Sequence, residues 1–179
     1  TNNGEINALK ILMASRCGIS ADLSGAINDR AIYHIDNAYF IPNIEIESYR
    51  CKTNTVSNTA FRGFGGPQGM LCIENILENI SQKLNKDSCE IRKINFYKNK
   101  TKNETHYGMK ITDNVISDIF DQLINKSQYY KRKKDIEKFN RKNKILKKGI
   151  SITPVKFGIS FTTTHLNQAG ALVHIYTDG

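Results

Sequence analysis

Apolar residues recur along this chain with two different spacings, which separate candidate helices from candidate strands. A spacing of three to four residues predicts helices, and alternation with a period of two predicts strands. The helical spacing occurs over 22–36 and 70–84, from Asp87 or Ser88 onward, and after Thr112 or Asp113. Extended or strand-like segments are expected over 5–16, Tyr39–Cys51, Ile150–Thr162 and Ala171–Thr177.

Two polar stretches interrupt these elements. Residues 53–69 are rich in Asn, Thr, Ser and Gly and are expected to form a loop, and 98–108 form a polar linker. The sequence closes on Asp178-Gly179, a strong hairpin-turn signal after which no returning strand follows. A strand without a partner would leave its backbone groups unpaired, so we expect the sequence to be truncated.

Composition favours a globular protein, because 39% of the residues are hydrophobic and 24% are charged. No apolar run approaches the roughly 18 residues of a membrane span, and no secretory signal is evident, so we expect no membrane partner. The net charge of +9 is concentrated in 131–148, where ten Lys or Arg residues face only Asp135 and Glu137. We favour a solvated helix or loop over a nucleic-acid-binding module, because no zinc-finger, GXXG or RNP-like pattern surrounds this run.

The four cysteines lie far apart in the sequence, with no CxxC pair, so neither a structural zinc site nor an iron–sulfur site is expected. Four cysteines are also too few for a disulfide scaffold, and we expect buried free thiols in a reducing compartment. The four histidines show no metal-ligand spacing. The residues concerned are Cys17, Cys51, Cys72 and Cys89, and His34, His106, His165 and His174.

The loop at 53–69 carries the most specific chemistry. Gly63, Gly65, Gly66 and Gly69 match neither the GxGxxG spacing nor a P-loop, but they allow the backbone to approach a ligand closely. A predicted helix follows, and its N-terminus offers N–H groups to an anion. Arg62 and Phe64 place a charge and an aromatic face among these glycines, although a purely structural turn remains an equal alternative.

The segment SNTAFRGFGGPQ at 57–68 resembles the molybdopterin-site loop of the xanthine dehydrogenase/aldehyde oxidase family, the molybdenum hydroxylases. Three further blocks agree in order: DRAIYHIDNAYFIPNI at 29–44, KSQYYKRKKDIEKFN at 126–140 and KFGISFTTTHLNQAGALVHIYTDG at 156–179. This resemblance implies an α+β fold of mixed twisted sheets with packed helices. It also implies two domain parts: 1–97 would end the first molybdopterin-binding subdomain, and 98–179 would begin the second.

The resemblance further implies roles for individual residues. Arg62, Gly63, Gly65 and Gly66 would contact the molybdenum–molybdopterin cofactor, with Arg62 nearest the metal through its backbone. Arg30, Phe64 and Thr162 would bind the substrate. The catalytic base, a glutamate in this family, matches no position of this chain, so we expect no catalytic residue here and an inactive isolated chain. The family's apolar-Pro-aromatic stretch after the threonine is replaced here by Thr163, Thr164 and His165.

Each substrate-binding residue also has a plainer interpretation. Arg30 lies on the apolar stripe of its predicted helix with Leu23, Ile27 and His34, where a charge is costly without a partner. That partner could be a substrate that becomes anionic or an acid elsewhere in the protein. Phe64 could be a core aromatic, and Thr162 an ordinary strand threonine.

The function implied by the resemblance is oxidative hydroxylation of hypoxanthine or xanthine by a cytoplasmic homodimer. Its other domains would bind 2Fe–2S clusters and FAD. An aldehyde oxidase-like enzyme is the nearest alternative, but the aldehyde-oxidising relatives generally lack an arginine at the position of Arg30. A basic nucleic-acid-binding module built on 131–148 is the alternative from another class.

Overall fold

A computed structural model describes residues 1–161 and 164–178, without the side chain of Leu166. Two strands, five helices and one short 3-10 turn form in this part of the chain, which confirms the expected α+β fold. In chain order they are β1 (Leu9–Gly18), α1 (Ser24–Tyr33), β2 (Ile44–Lys52), α2 (Gly66–Leu84), α3 (Ser88–Asn95), α4 (Ile116–Lys126), α5 (Tyr129–Lys142) and the turn Thr164–Leu166.

The two strands form a parallel sheet in which Leu9 pairs with Ile44 and Arg16 pairs with Cys51. Parallel strands need a crossover connection, and α1 provides it.

A single hydrophobic core joins both halves of the chain. Ile73 and Leu77 of α2 are completely buried at its centre. Phe96 packs against Tyr39 and also meets Phe120 of α4 edge to face, with ring centres 5.1 Å apart. α4 follows the linker at 98–108, and its Phe120 belongs to the same buried cluster as Ile73 and Leu77. Residues from before and after the linker therefore share this core.

α2 begins at Gly66, four residues before the expected start at 70. Pro67 fits the first turn of a helix, where its missing N–H is not needed. Gly69 lies so close to α1 that a Cβ atom there would meet the carbonyl oxygen of Ala31 at 2.3 Å. Helix packing therefore extends α2 into a stretch whose glycines predict a loop. Asp87 caps α3, since its carboxylate accepts a hydrogen bond from the Cys89 N–H at 2.8 Å.

The two C-terminal strand predictions are wrong for the described residues. Residues 150–161 are extended and belong to no sheet, although Ile152 and Pro154 are buried and Thr153 between them is exposed. Residues 171–176 are exposed and likewise unpaired. A strand needs the backbone of a neighbouring strand, and the described chain offers none at either place.

The basic run extends along α5 and the loop after it. Most of its Lys and Arg residues are exposed, and Lys133 forms an ion pair with Asp87. All four cysteines are free, but only Cys17 and Cys89 are buried, so the expectation of burial is wrong for Cys51 and Cys72. No group of residues suited to holding a metal ion occurs in 1–161 and 164–178. No helix in these ranges has the length and apolar character needed to cross a membrane.

Candidate functional site

Arg30 and Phe64, two residues distant in the sequence, meet beside a cavity. Arg30 lies in the last turn of α1 and is 6% exposed. Its Nη1 donates a hydrogen bond to the carbonyl oxygen of Gly158 at 2.7 Å, and its Cζ atom lies 5.9 Å from the centre of the Phe64 ring and 5.4 Å from that of Phe157. The guanidinium is thus held between aromatic faces, an arrangement favourable for a cation.

The positive charge of Arg30 has no acidic partner in the described chain. None of the ion pairs between described residues includes it, and its buried Nε has no hydrogen-bond partner there. A buried N–H without a partner is costly, and a charge more so. The interpretation of Arg30 as one half of an ion pair with an acid is therefore not supported by these residues.

The cavity beside Arg30 has a volume of about 500 Å³. Aromatic side chains form much of its wall, and Arg30, His34 and Lys156 supply polar groups. Cavities of this size and character suit small organic ligands. The aromatic residues are Tyr33, Tyr107, Phe157 and Phe161.

Phe161 joins Phe64 at this site, and sequence reasoning missed it. The two ring centres are 5.4 Å apart, and the ring planes are inclined by 50°. Phe64 adopts a left-handed backbone conformation (φ +51°) in the loop that precedes α2. The available signal was the position of Phe161 directly before the family-matched Thr162, which itself lies outside the described residues.

The glycines before α2 have a packing reason as well as the predicted ligand role. A Cβ atom at Gly65 would meet the carbonyl oxygen of Ile27 at 2.0 Å, one at Gly66 would meet the Phe157 ring at 2.5 Å, and one at Gly63 would meet Pro67 at 2.5 Å. Gly63 and Gly65 also have φ values of +90° and +96°. Gly65 therefore lies against α1 at a distance that only glycine allows, and the other two glycines pack as closely against Pro67 and Phe157.

We expect Gly65→Ala to destabilise the folded chain by about 2–4 kcal/mol, because it combines a strained positive φ with overpacking against backbone. Urea unfolding of the 179-residue chain measures this change. Gly170→Ala is the matched control, since a Cβ atom there meets nothing within 4 Å. Equal stability of the two variants would contradict the packing explanation.

One wall of the cavity continues into a buried polar network around Asp36. Its carboxylate, 1% exposed, accepts hydrogen bonds from Tyr97 and Lys156, each at 2.6 Å, and lies 3.8 Å from Nδ1 of His106. Burial acts to raise the pKa of Asp36, but its contacts with His106, Lys156 and Tyr97 outweigh burial and hold that pKa below its ordinary value. The ionised Asp36 thereby fixes the Lys156 ammonium at the edge of the cavity.

Comparison with known proteins agrees with this geometry. Two family models, both described as molybdopterin cofactor-binding domains, match residues 1–96 and 122–179. The chain belongs to the molybdopterin cofactor-binding domain family. The chain is 50% identical over its whole length to xanthine dehydrogenase of Dictyostelium discoideum, and 49% identical over 99% of its length to xanthine dehydrogenase/oxidase of Gallus gallus. The resemblance inferred from 57–68 and its flanking blocks is confirmed.

Solved structures of two oxidoreductases share the fold. Aldehyde oxidoreductase from Desulfovibrio gigas covers 80% of this chain with a TM-score of 0.66 and 26% identity, and 15% of that chain is covered. Quinoline 2-oxidoreductase from Pseudomonas putida 86 covers 79% with a TM-score of 0.67 and 18% identity, and 18% of that chain is covered. The chain spans only 13% of the length of the two xanthine dehydrogenase relatives named above.

The residues before α2 fit the anionic character of a molybdopterin cofactor. Arg62 is exposed and forms no ion pair among the described residues, and the first turn of α2 receives no side-chain cap from Gly65. The Gly66 and Gly69 N–H groups donate to the carbonyl oxygens of Gly63 and Gly65, and Pro67 has no N–H, so the attraction for an anion comes from the Arg62 charge and the helix dipole. The assignment of Arg62, Gly63, Gly65 and Gly66 as cofactor contacts stays a prediction.

Proposed function

We propose that this chain provides the substrate-binding wall of a xanthine dehydrogenase-type molybdenum hydroxylase that acts on hypoxanthine or xanthine. The observation that carries the proposal is the buried Arg30 guanidinium, which lacks an acidic partner in the described chain and borders an aromatic cavity. A planar heterocycle that gains negative charge during the reaction would satisfy both features. Stacking suits the aromatic wall, and the developing charge suits Arg30.

Each residue then has a stated role. Arg30 stabilises negative charge on the purine, Phe64 and Phe161 present ring faces to it, and Thr162 donates or accepts a hydrogen bond at its edge. Arg62 and the glycines at 63, 65 and 66 hold the cofactor. When bound, the cofactor supplies the redox centre that receives electrons from the substrate.

The remaining parts of the machinery are proposed to lie outside this chain. They comprise the catalytic base, the 2Fe–2S clusters and the FAD site, in keeping with the small share of each relative that the chain spans. We also propose that the enzyme is a homodimer located in the cytoplasm. The four free cysteines fit the reducing conditions of that compartment. The division into subdomain parts 1–97 and 98–179 stays a proposal, supported by the separate family matches to 1–96 and 122–179.

An aldehyde oxidase-like activity is the alternative, favoured by the likeness to the aldehyde oxidoreductase of Desulfovibrio gigas. Arg30 argues against it. An aldehyde develops charge on the oxygen next to the attacked carbon, whereas a purine spreads charge over a ring that a remote guanidinium can reach.

A chimeric enzyme tests the proposal. This chain would replace the matching segment of the Dictyostelium discoideum xanthine dehydrogenase, and molybdenum content and turnover would be measured together. We expect a molybdenum-loaded chimera that oxidises xanthine in preference to an aromatic aldehyde. A loaded chimera that oxidises only the aldehyde would overturn the purine assignment in favour of the alternative.

A further inference from the structure

Three side chains at the end of α1 bind the backbone of the extended segment 154–158. Asn37 donates from Nδ2 to the carbonyl oxygen of Pro154 at 2.9 Å, and its Oδ1 accepts the N–H of Lys156 at 3.0 Å. The N–H of Gly158 donates to Nε2 of His34 at 3.0 Å, and the carbonyl oxygen of Gly158 accepts from Arg30 at 2.7 Å. We call these four bonds the side-chain ladder.

The spacing of the ladder has a simple geometric reason. Arg30 lies in the last turn of α1, and His34 and Asn37 follow in the turn directly after this helix. Residues 154, 156 and 158 alternate along an extended chain and point their backbone groups to one side. The side chains thus satisfy the backbone groups that a neighbouring strand would otherwise bind. This explains how a segment with a strand-like sequence is held without joining the sheet.

His34 occupies the middle of the ladder in a defined chemical form. Because its Nε2 accepts the Gly158 N–H, its Nδ1 must carry the proton, and Nδ1 lies 2.9 Å from the carbonyl oxygen of Arg30. Burial lowers the pKa of His34, and the positive charges of Arg30 and Lys156 lower it further. The hydrogen bond to the Arg30 backbone and the negative charge of Asp36 act to raise this pKa, but their effect is smaller. The ring is therefore neutral at neutral pH, which is the form that the ladder requires.

The ladder lies directly before the aromatic wall of the cavity. Gly158 is three residues from Phe161, whose ring contacts Phe64, and Phe157 packs on the His34 ring with centres 4.7 Å apart. We propose that His34 is a positioning residue: by holding Gly158 against Arg30 it sets the place of Phe161 opposite Phe64. The proposal rests on the proposed function only for the identity of the substrate.

Hydrogen exchange of the 179-residue chain tests the ladder without any substrate. His34→Leu removes the acceptor while keeping a buried side chain of similar size, and exchange at Gly158 is expected to accelerate roughly tenfold, as for the loss of one hydrogen bond. His34→Gln can place an oxygen where Nε2 lies and is expected to keep the protection. Asn95→Leu is the matched control, since Asn95 is also buried but its side chain binds the backbone of Gly4 and Ile6. In this variant, protection from exchange should fall near 4–6 and persist at 154–161.

The intact enzyme that carries this chain gives the second measurement. We expect kcat/KM for xanthine to fall on the order of tenfold in His34→Leu at unchanged molybdenum content, and His34→Gln to restore most of it. Unchanged exchange at Gly158 in His34→Leu would overturn the ladder, and lost protection with unchanged kcat/KM would overturn the positioning role. Equal losses in the Leu and Gln variants would also overturn it. If the unaltered enzyme oxidises only aldehydes, the proposed function fails, and the same comparison made with an aldehyde still decides the role of His34.

Discussion

Arg30→Met is expected to lower kcat/KM for xanthine by on the order of a hundredfold in the intact enzyme, equivalent to roughly 3 kcal/mol of transition-state stabilisation. The guanidinium is buried and its Nε has no partner among the described residues, so its charge is available to a ligand in the adjacent cavity. Methionine keeps apolar bulk between Phe64 and Phe157 and removes only the charge and its hydrogen bonds. The effect should be largest in the transition state, when negative charge has developed on the purine.

The control for Arg30→Met is a planar aromatic aldehyde assayed with the same enzyme preparation. Arg30 also holds the carbonyl oxygen of Gly158, and loss of that bond would affect both substrates. We therefore expect kcat/KM for the aldehyde to hold or rise while that for xanthine falls. If both values fall together, Arg30 acts through the position of Gly158 and not through the charge of the substrate.

Glu74→Leu is expected to lower the free energy of unfolding by about 3–5 kcal/mol, because it leaves the buried Arg92 charge with only a long contact to the half-exposed Glu78. Arg92 is 2% exposed, and its Nε donates to the Glu74 carboxylate at 2.9 Å. The same carboxylate accepts hydrogen bonds from Tyr39 at 2.5 Å and from Asn37 at 3.0 Å. One substitution therefore removes the acceptor for three buried donors.

Glu78→Leu provides the matched control one helical turn away on α2. The Glu78 side chain is 46% exposed and lies 3.8 Å from Nη2 of Arg92, so its loss should cost less than about 1 kcal/mol. Urea unfolding of the 179-residue chain measures both variants. Adding Arg92→Met to Glu74→Leu should recover part of the loss, since it removes the uncompensated charge. Similar costs for the two glutamates would show that the buried pair does not stabilise the core.

Asn37 links these two regions, because its amide binds both Glu74 and the segment at 154–156. Its backbone is left-handed (φ +43°), a conformation that asparagine tolerates better than most residues. The buried ion pair of the core and the ladder beside the cavity therefore share one side chain. Disturbing the Glu74 carboxylate should consequently loosen the extended segment as well.

Apolar periodicity and the order of residues are sufficient to predict the regular helices and the family of this protein. The apolar spacing of 116–124 gives α4, whose Phe120 and Ile124 are buried in the core. The block at 57–68 identified the molybdopterin-binding family, because its order of residues is specific. Arg30 and Phe64 were predicted to bind one ligand, and in the structure the Arg30 Cζ atom lies 5.9 Å from the centre of the Phe64 ring.

The backbone partner of the strand-like segment at 150–161 and the residues that complete the cavity depend on how the chain packs in three dimensions. Alternation of buried and exposed residues reports which side of a segment faces the core, but it carries no information about the partner of its backbone. Here that partner is a face of α1 and the turn after it, separated from the segment by about 120 positions in the sequence. The same separation hid the contact between Phe161 and Phe64 and the network around Asp36, because contacts between distant residues depend on how the helices pack and leave no local pattern in the chain.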